Sequence, residues 1–125
     1  MRIIIRIGLI FFFVLSFTLS GCSISRELQQ VHDLAFGDLS LPSLADGEYR
    51  GEYGITLVSA EVAVIVKNHS IVSINLLKHS NGKGKPAEKI LGEVVAKQTL
   101  HVDTVAGATI SSKVILKAIE RALSE

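Results

Sequence analysis

The chain has 125 residues and a formal net charge of +1, and 48% of its residues are hydrophobic. Its mean hydropathy of +0.43 is too high for a disordered chain, and its length is too short for more than one ordinary domain. Aromatic residues make up only 6% of the chain, and four of the five phenylalanines lie in the first 21 residues. This composition excludes a nucleic-acid interface built from basic patches and stacking rings.

The first 21 residues have the pattern of an export signal. Arg2 and Arg6 precede an apolar run over residues 7–19, which suits a signal peptide better than a membrane-spanning helix of about 20 apolar residues. The following Leu-Ser-Gly-Cys resembles the bacterial lipobox, in which the peptide is cut before a cysteine that carries lipid. We expect a lipoprotein signal peptide over residues 1–21 and lipidation of Cys22. The alternative is an uncleaved anchor with a buried cysteine, and both place the remainder on the extracytoplasmic face of a membrane.

Residues 22–45 are predicted to form a lipid-anchored tether. Apolar residues recur at helical spacing from Ile24 to Ala35, and Gly37 is a suitable helix end. We therefore expect one short amphipathic helix followed by a linker. The pattern leaves open whether this helix packs on the domain or lies on lipid.

Three strands are predicted between residues 46 and 77. Asp46-Gly47 is a turn signal, and residues 48–53 after it alternate like a strand. Every second position over residues 58–66 is apolar and mostly β-branched, which predicts a long second strand. Residues 71–77 are a third apolar strand, and the short turn at residues 68–70 makes the last two strands an antiparallel hairpin.

The pattern then becomes helical. Residues 79–86 form a Gly-rich basic loop, and an apolar face over residues 87–98 predicts a first helix. Residues 100–102 suggest a brief extended segment, and residues 110–124 predict a second helix. Together these elements predict an α+β fold, in which a small antiparallel sheet of about three strands has two helices packed on one face.

The segment from Asp103 to Ser112 carries the chemistry. Its small residues at positions 106–108 allow another group to approach the backbone closely, and free N–H groups at a helix start bind phosphate well. Hydroxyl groups are available from Thr109, Ser111 and Ser112. The segment thus favours an anion site for phosphate. The alternative is that Thr109 or Ser111 only caps the helix and that Gly107 shapes a turn.

At this point the chain resembles a known family. Asp-Thr-Val-Ala-Gly-Ala-Thr at residues 103–109 is similar to the Asp-x-x-[Ser/Thr]-Gly-Ala-Thr motif of FMN-binding domains, with Ala106 as the one departure. Such domains occur in electron-transport subunits of the Na⁺-pumping quinone reductase and Rnf type and in small extracytoplasmic flavoproteins. The resemblance covers Asp46 to Leu123, and its other marks are the Asp-Gly-x-Tyr-x-Gly opening, the His-x-Asn-Gly-x-Gly loop and the Ser-Ser-Lys-Val-Ile start of the last helix.

The resemblance implies that a flavin transferase cleaves FAD and attaches FMN, through its phosphate, to Thr109. It also implies that the loop after residue 78 lies near the isoalloxazine ring, whereas the residues alone are equally consistent with a polar turn. Two groups of cofactor-binding residues follow from it, one in the loop and one in the motif: His79, Asn81 and Gly82, and Asp103, Ala106, Gly107, Ala108, Thr109, Ser111 and Ser112.

The function that this implies is a membrane-tethered FMN-binding electron carrier, more a redox carrier domain than a complete oxidoreductase. Its expected partners are the flavin transferase, membrane electron-transport proteins and membrane lipid through Cys22, and nucleic acid is not expected. Metal-ligand clusters, Walker loops and Ser-His-Asp sets are not visible in the sequence. The alternatives are a lipoprotein interaction or assembly module without flavin, favoured by Ala106, and a reductase with non-covalent FMN.

Overall fold

The computed structural model describes residues 21–80 and 85–124. The first 20 of the 21 residues of the predicted signal peptide fall outside the described residues, and so do Asn81, Gly82 and the side chain of Cys22. In the part of the chain that is described, no helix combines the length and the apolar character needed to cross a membrane.

Three antiparallel strands form one sheet in the order β1-β2-β3: β1 (Gly47–Gly54), β2 (Ser59–Lys67) and β3 (Ser70–Ser80). All three predicted strands are confirmed, and β3 runs three residues beyond its predicted end. The β2–β3 turn consists of Asn68 and His69, with φ of 50° and 60°. Positive φ at both positions is the geometry of a two-residue turn that matches the twist of the strands.

The sheet has two ends that matter for the site. The end at the β1–β2 connection is called the hairpin end, and there Gly54 pairs with Ser59 and Ser59 pairs with Ser80. The opposite end, at the β2–β3 turn, is called the turn end, and there Gly47 pairs with Val66.

Two helices cover one face of the sheet, as predicted: α2 (Ile90–Lys97) and α3 (Thr109–Ser124). The predicted helix over 87–98 begins instead as a 3-10 helix (Lys85–Lys89) and becomes α-helical at Ile90. Residues 100–102 form no strand, and Leu100 enters the core. The predicted α+β fold is confirmed. Its core consists of inward side chains of the strands packed against both helices: Ala60, Val62, Val64, Val66, Ile71, Ile90, Val94, Val114, Ile115, Ala118 and Ile119.

Helix α3 lies unusually close to β1. A Cβ atom placed on Gly51 would come within 2.2 Å of the Ala118 carbonyl oxygen and 2.4 Å of the Ala122 nitrogen. Real Cβ atoms do not approach backbone atoms this closely, so only glycine allows the contact. The Gly51 of the predicted opening motif therefore sets the distance between helix and sheet.

Helix α1 (Gly21–His32) and the segment after it pack against α3. Val31 is fully buried, and the Gly37 N–H donates to Glu120 Oε1 at 2.9 Å. The sequence left open whether this helix packs on the domain or lies on lipid, and in the structure it packs on the domain. The helix ends at His32 rather than near Gly37, and the Lys113 ammonium binds the carbonyl oxygens of His32 and Leu34 at this end.

Candidate functional site

The motif segment contains a tight turn directly before α3. The Ala108 N–H donates to the Val105 carbonyl oxygen at 2.9 Å, and Gly107 between them has φ of 76°. A Cβ on Gly107 would meet nothing within 4 Å. Glycine is needed here for its backbone conformation and not for space.

Ser112 joins this turn to the first turn of α3. Its hydroxyl accepts a hydrogen bond from the Val105 N–H at 3.1 Å and donates to the Ala108 carbonyl oxygen at 2.8 Å. The side chain is completely buried. Ser112, one of the predicted cofactor-binding residues, therefore acts within the fold, where it fixes the position of the turn.

The N-terminus of α3 is open at its backbone. Thr109 is the first helical residue, and the first bond between successive turns runs from the Ser112 N–H to the Ala108 carbonyl oxygen at 2.9 Å. The N–H groups of Thr109, Ile110 and Ser111 meet no acceptor among the described residues. Ala108 holds the capping position and has no side-chain oxygen. The structure therefore does not realise the alternative in which a hydroxyl merely caps this helix.

This helix end has the chemistry that a phosphate group requires. Three free N–H donors and the positive end of a 16-residue helix dipole lie at the N-terminus of α3. The hydroxyl of Thr109, the first helical residue, lies at the same place. Ala106 and Gly107 are exposed beside it and carry little bulk, while Asp103 is exposed at the start of the segment. The residues present fit a phosphate ester.

The position of the opposite end of α3 locates this site on the sheet. Leu123 and Ser124 line a groove together with Leu44, whose carbonyl oxygen is 3.2 Å from Nδ1 of His69 in the β2–β3 turn. The last turn of α3 thus lies toward the turn end. Since 16 helical residues extend about 24 Å, the Thr109 end points toward the hairpin end of the sheet.

His79 lies at the same end. It pairs with Ala60 at the hairpin end, and its Nδ1 is 3.1 Å from Oε1 of Glu88 in the 3-10 helix, which contacts α3. The imidazole is only 3% exposed. The structure thus brings His79, the one described member of the predicted loop site, and the predicted motif to the same end of the sheet. Glu88 was not predicted, because no local pattern links residues nine positions apart across a loop.

A separate groove of about 380 Å³ lies beside β1 and β2. Glu52 and Glu61 face each other across the strands, and the Arg121 guanidinium stacks 4.9 Å from the centre of the Tyr53 ring. None of the motif residues lines this groove. The groove lining combines these two acidic side chains with Lys78 and Arg121 and so carries no net positive charge, which leaves the helix start as the better anion site.

Two further histidines are exposed and paired with aspartates. His32 lies beside Asp33, and Nε2 of His101 is 3.1 Å from Oδ1 of Asp38. Within residues 21–80 and 85–124, no group of three or more His, Cys, Asp or Glu side chains is arranged to hold a metal ion.

Comparison with known proteins relates the chain to flavin-binding proteins. The model of a family described as "FMN-binding domain" matches residues 57–124. A urocanate reductase from Eggerthella lenta is 43% identical over 65 residues, which are 50% of this chain and 11% of that protein. The chain thus aligns with about a tenth of the length of this relative. The family match includes β2, β3, both covering helices and the whole motif segment.

Proposed function

The chain belongs to the FMN-binding domain family, and on that premise we propose that it is a membrane-tethered, extracytoplasmic electron carrier whose FMN is attached through its phosphate to Thr109. Family membership confirms the predicted cofactor, FMN, and supports a redox role. The tether and the covalent bond are the parts that we propose.

The open N-terminus of α3 is the observation that supports attachment of FMN at Thr109. A phosphodiester on Thr109 keeps one negative charge, and the three unbonded N–H groups and the helix dipole stabilise that charge where it forms. The turn through Gly107, held by Ser112, keeps the small residues of the motif beside it. Among the motif hydroxyls, that of Ser112 is already used within the fold, whereas that of Thr109 has no hydrogen bond to a described residue.

The attachment step balances without a redox change. The Thr109 hydroxyl loses its proton and forms a bond to the phosphorus that carries the FMN moiety of FAD. The pyrophosphate bond of FAD breaks, and AMP leaves. We propose that a flavin transferase supplies the base and any metal ion that this step needs.

A carrier fits the chain better than a complete enzyme. Bound FMN supplies the electron chemistry, and the protein supplies its position and surroundings. The urocanate reductase shares only 11% of its length with this match, so its substrate chemistry is not carried over. We propose that electrons arrive from a flavin or quinone chain in the membrane to which Cys22 attaches the protein.

Covalent attachment is tested by co-expressing the full chain with a flavin transferase and then denaturing it. We expect flavin fluorescence that stays with the protein and a mass gain of one FMN less one water. Thr109→Ala should abolish both and Thr109→Ser should keep both, while Thr104→Ala, a neighbouring hydroxyl at a variable motif position, should change neither.

Other outcomes identify the alternatives. Flavin that is released on denaturation indicates non-covalent FMN, and flavin absent under every condition indicates an interaction module. Fluorescence that persists in Thr109→Ala contradicts the acceptor assignment. A Cys22→Ser variant that still partitions fully to membranes contradicts the lipid anchor.

A further inference from the structure

The tip of the β1–β2 hairpin carries an exposed leucine. The Ile55 N–H donates to the Val58 carbonyl oxygen at 2.8 Å, so Thr56 and Leu57 form a two-residue tip. Leu57 is 53% exposed, the highest exposure of any large apolar side chain in the described residues. Neither tip residue has a positive φ, so this turn accepts most residue types and does not call for a leucine. The leucine is therefore not explained by the turn itself.

Helix α1 is fixed to this tip by its own side chain. The Glu27 carboxylate accepts hydrogen bonds from the Thr56 N–H at 3.0 Å and from the Thr56 hydroxyl at 3.1 Å. Ile24 lies one helical turn earlier and is also exposed, at 37%. Two of the exposed large apolar side chains in the structure thus flank one polar junction between α1 and the hairpin.

The start of α1 indicates what these side chains meet. Cys22, the proposed lipid-bearing residue, is the second residue of α1 and lies two positions before Ile24. Anchoring at Cys22 holds the start of α1 at the lipid surface, and the Glu27–Thr56 contact then brings Leu57 to that surface as well.

We propose that the hairpin end of the sheet docks on the lipid bilayer, with Leu57 and Ile24 entering the interfacial region. This proposal rests on the proposed membrane tether. Two apolar side chains bind a bilayer only weakly on their own, but the anchor makes the contact intramolecular and therefore favours it.

Docking in this way orients the redox site. Thr109 points toward the same end of the sheet as Leu57, so an FMN attached there faces the membrane and not the solvent beyond the domain. The carrier thereby presents its cofactor to a partner embedded in the bilayer. The contact is a lipid-surface contact and needs no protein receptor.

The experiment measures the depth of a single label on the lipidated full chain. Cys22 is the only native cysteine, and in the lipidated protein its thiol is blocked, so Leu57→Cys introduces one reactive thiol. The variant is labelled with an environment-sensitive dye and reconstituted in vesicles of phosphatidylethanolamine and phosphatidylglycerol that contain nitroxide-bearing acyl chains. The control is Val72→Cys with the same dye, because Val72 is 48% exposed and lies near the turn end.

We expect the label at position 57 to lose most of its fluorescence to the nitroxide lipids and the label at position 72 to keep most of it. Equal quenching at the two positions overturns the docking proposal. Sedimentation of the same samples with the vesicles tests the membrane tether separately from the docking. Protein that pellets with vesicles but shows equal quenching is tethered without docking, whereas protein that stays in the supernatant contradicts the tether, and docking with it.

Discussion

The side-chain amide of Gln98 forms a reciprocal pair of hydrogen bonds with the main chain of Ile71. Its Nε2 donates to the Ile71 carbonyl oxygen and its Oε1 accepts from the Ile71 N–H, both at 2.8 Å. Gln98 follows α2 in the left-handed conformation, with φ of 56°. The amide thus takes the place of a neighbouring strand on the outer edge of β3. An edge covered in this way is protected from pairing with other chains.

Replacing Gln98 should therefore destabilise the fold. In Gln98→Ala, the N–H and carbonyl groups of Ile71 lose their partners at a part-buried position, which should lower the free energy of unfolding by about 1–3 kcal/mol. Urea denaturation followed by circular dichroism measures the change. The control is Gln29→Ala, which removes an exposed bond to Asp33. Equal midpoints for the two variants would show that the edge pair contributes nothing.

Gly51 and Gly92 should respond to alanine in opposite directions. The Cβ of Gly51→Ala meets backbone atoms of α3, which must move away from the sheet, and we expect a loss of about 3 kcal/mol or more. A Cβ at Gly92, inside α2, meets nothing within 4 Å, so Gly92→Ala should gain roughly 0.5–1 kcal/mol from helix propensity. Thermal unfolding of both variants checks the signs, and a tolerated alanine at position 51 would refute the close packing.

Ser112 is predicted to support flavin attachment without being its acceptor. Ser112→Ala removes both hydrogen bonds that hold the turn, at an expected cost of about 1–3 kcal/mol. The fraction of protein that carries flavin should fall, while peptide mapping should still find the flavin on Thr109. Ser124→Ala, which removes an exposed hydroxyl at the other end of α3, is the matched control. Full flavin incorporation in Ser112→Ala would mean that the turn needs no such support.

Glu120 should make stability depend on pH. Partial burial alone would raise the pKa of its carboxyl group, but the Gly37 hydrogen bond and the Lys117 contact outweigh burial and lower the pKa below its ordinary value of 4.5. A lowered pKa in the folded state stabilises the protein above the unfolded value, and this contribution is lost as the pH falls through the folded value.

We therefore expect Glu120→Gln to cost about 1–2 kcal/mol at pH 7 and progressively less below pH 4.5. Denaturation series at several pH values would show the two curves converging in acid. Glu93→Gln, which breaks an exposed pair with Lys97, should change little at any pH. A wild-type advantage of constant size from pH 7 to pH 3 would contradict the role of the charge.

The sequence predicted what depends on local periodicity. Alternation identified the three strands, and helical spacing placed the last helix within one residue of its observed start at Thr109. These patterns did not predict contacts between residues far apart in the chain. The Gly37–Glu120 and Lys113–His32 contacts join residues about eighty positions apart, and no local pattern specifies them.

The same distinction applies to the site. The motif predicted an anion site at a helix start, and the alternative of simple capping was open until the structure placed Ala108 at the capping position. The structural use of Ser112 depends on a turn whose closure no hydroxyl pattern reveals. Glu88 beside His79 depends on how the 3-10 helix returns to the sheet.

The burial of Val31 and Leu41 has a practical consequence for moving this domain between proteins. Both side chains belong to the same core as α3, yet they precede residue 57, where the family match begins. A fragment cut at residue 57 also lacks β1, which leaves one edge of β2 unpaired and uncovers α3. A domain moved into another protein therefore has to start at the first residues of α1, more than thirty residues before the family match begins.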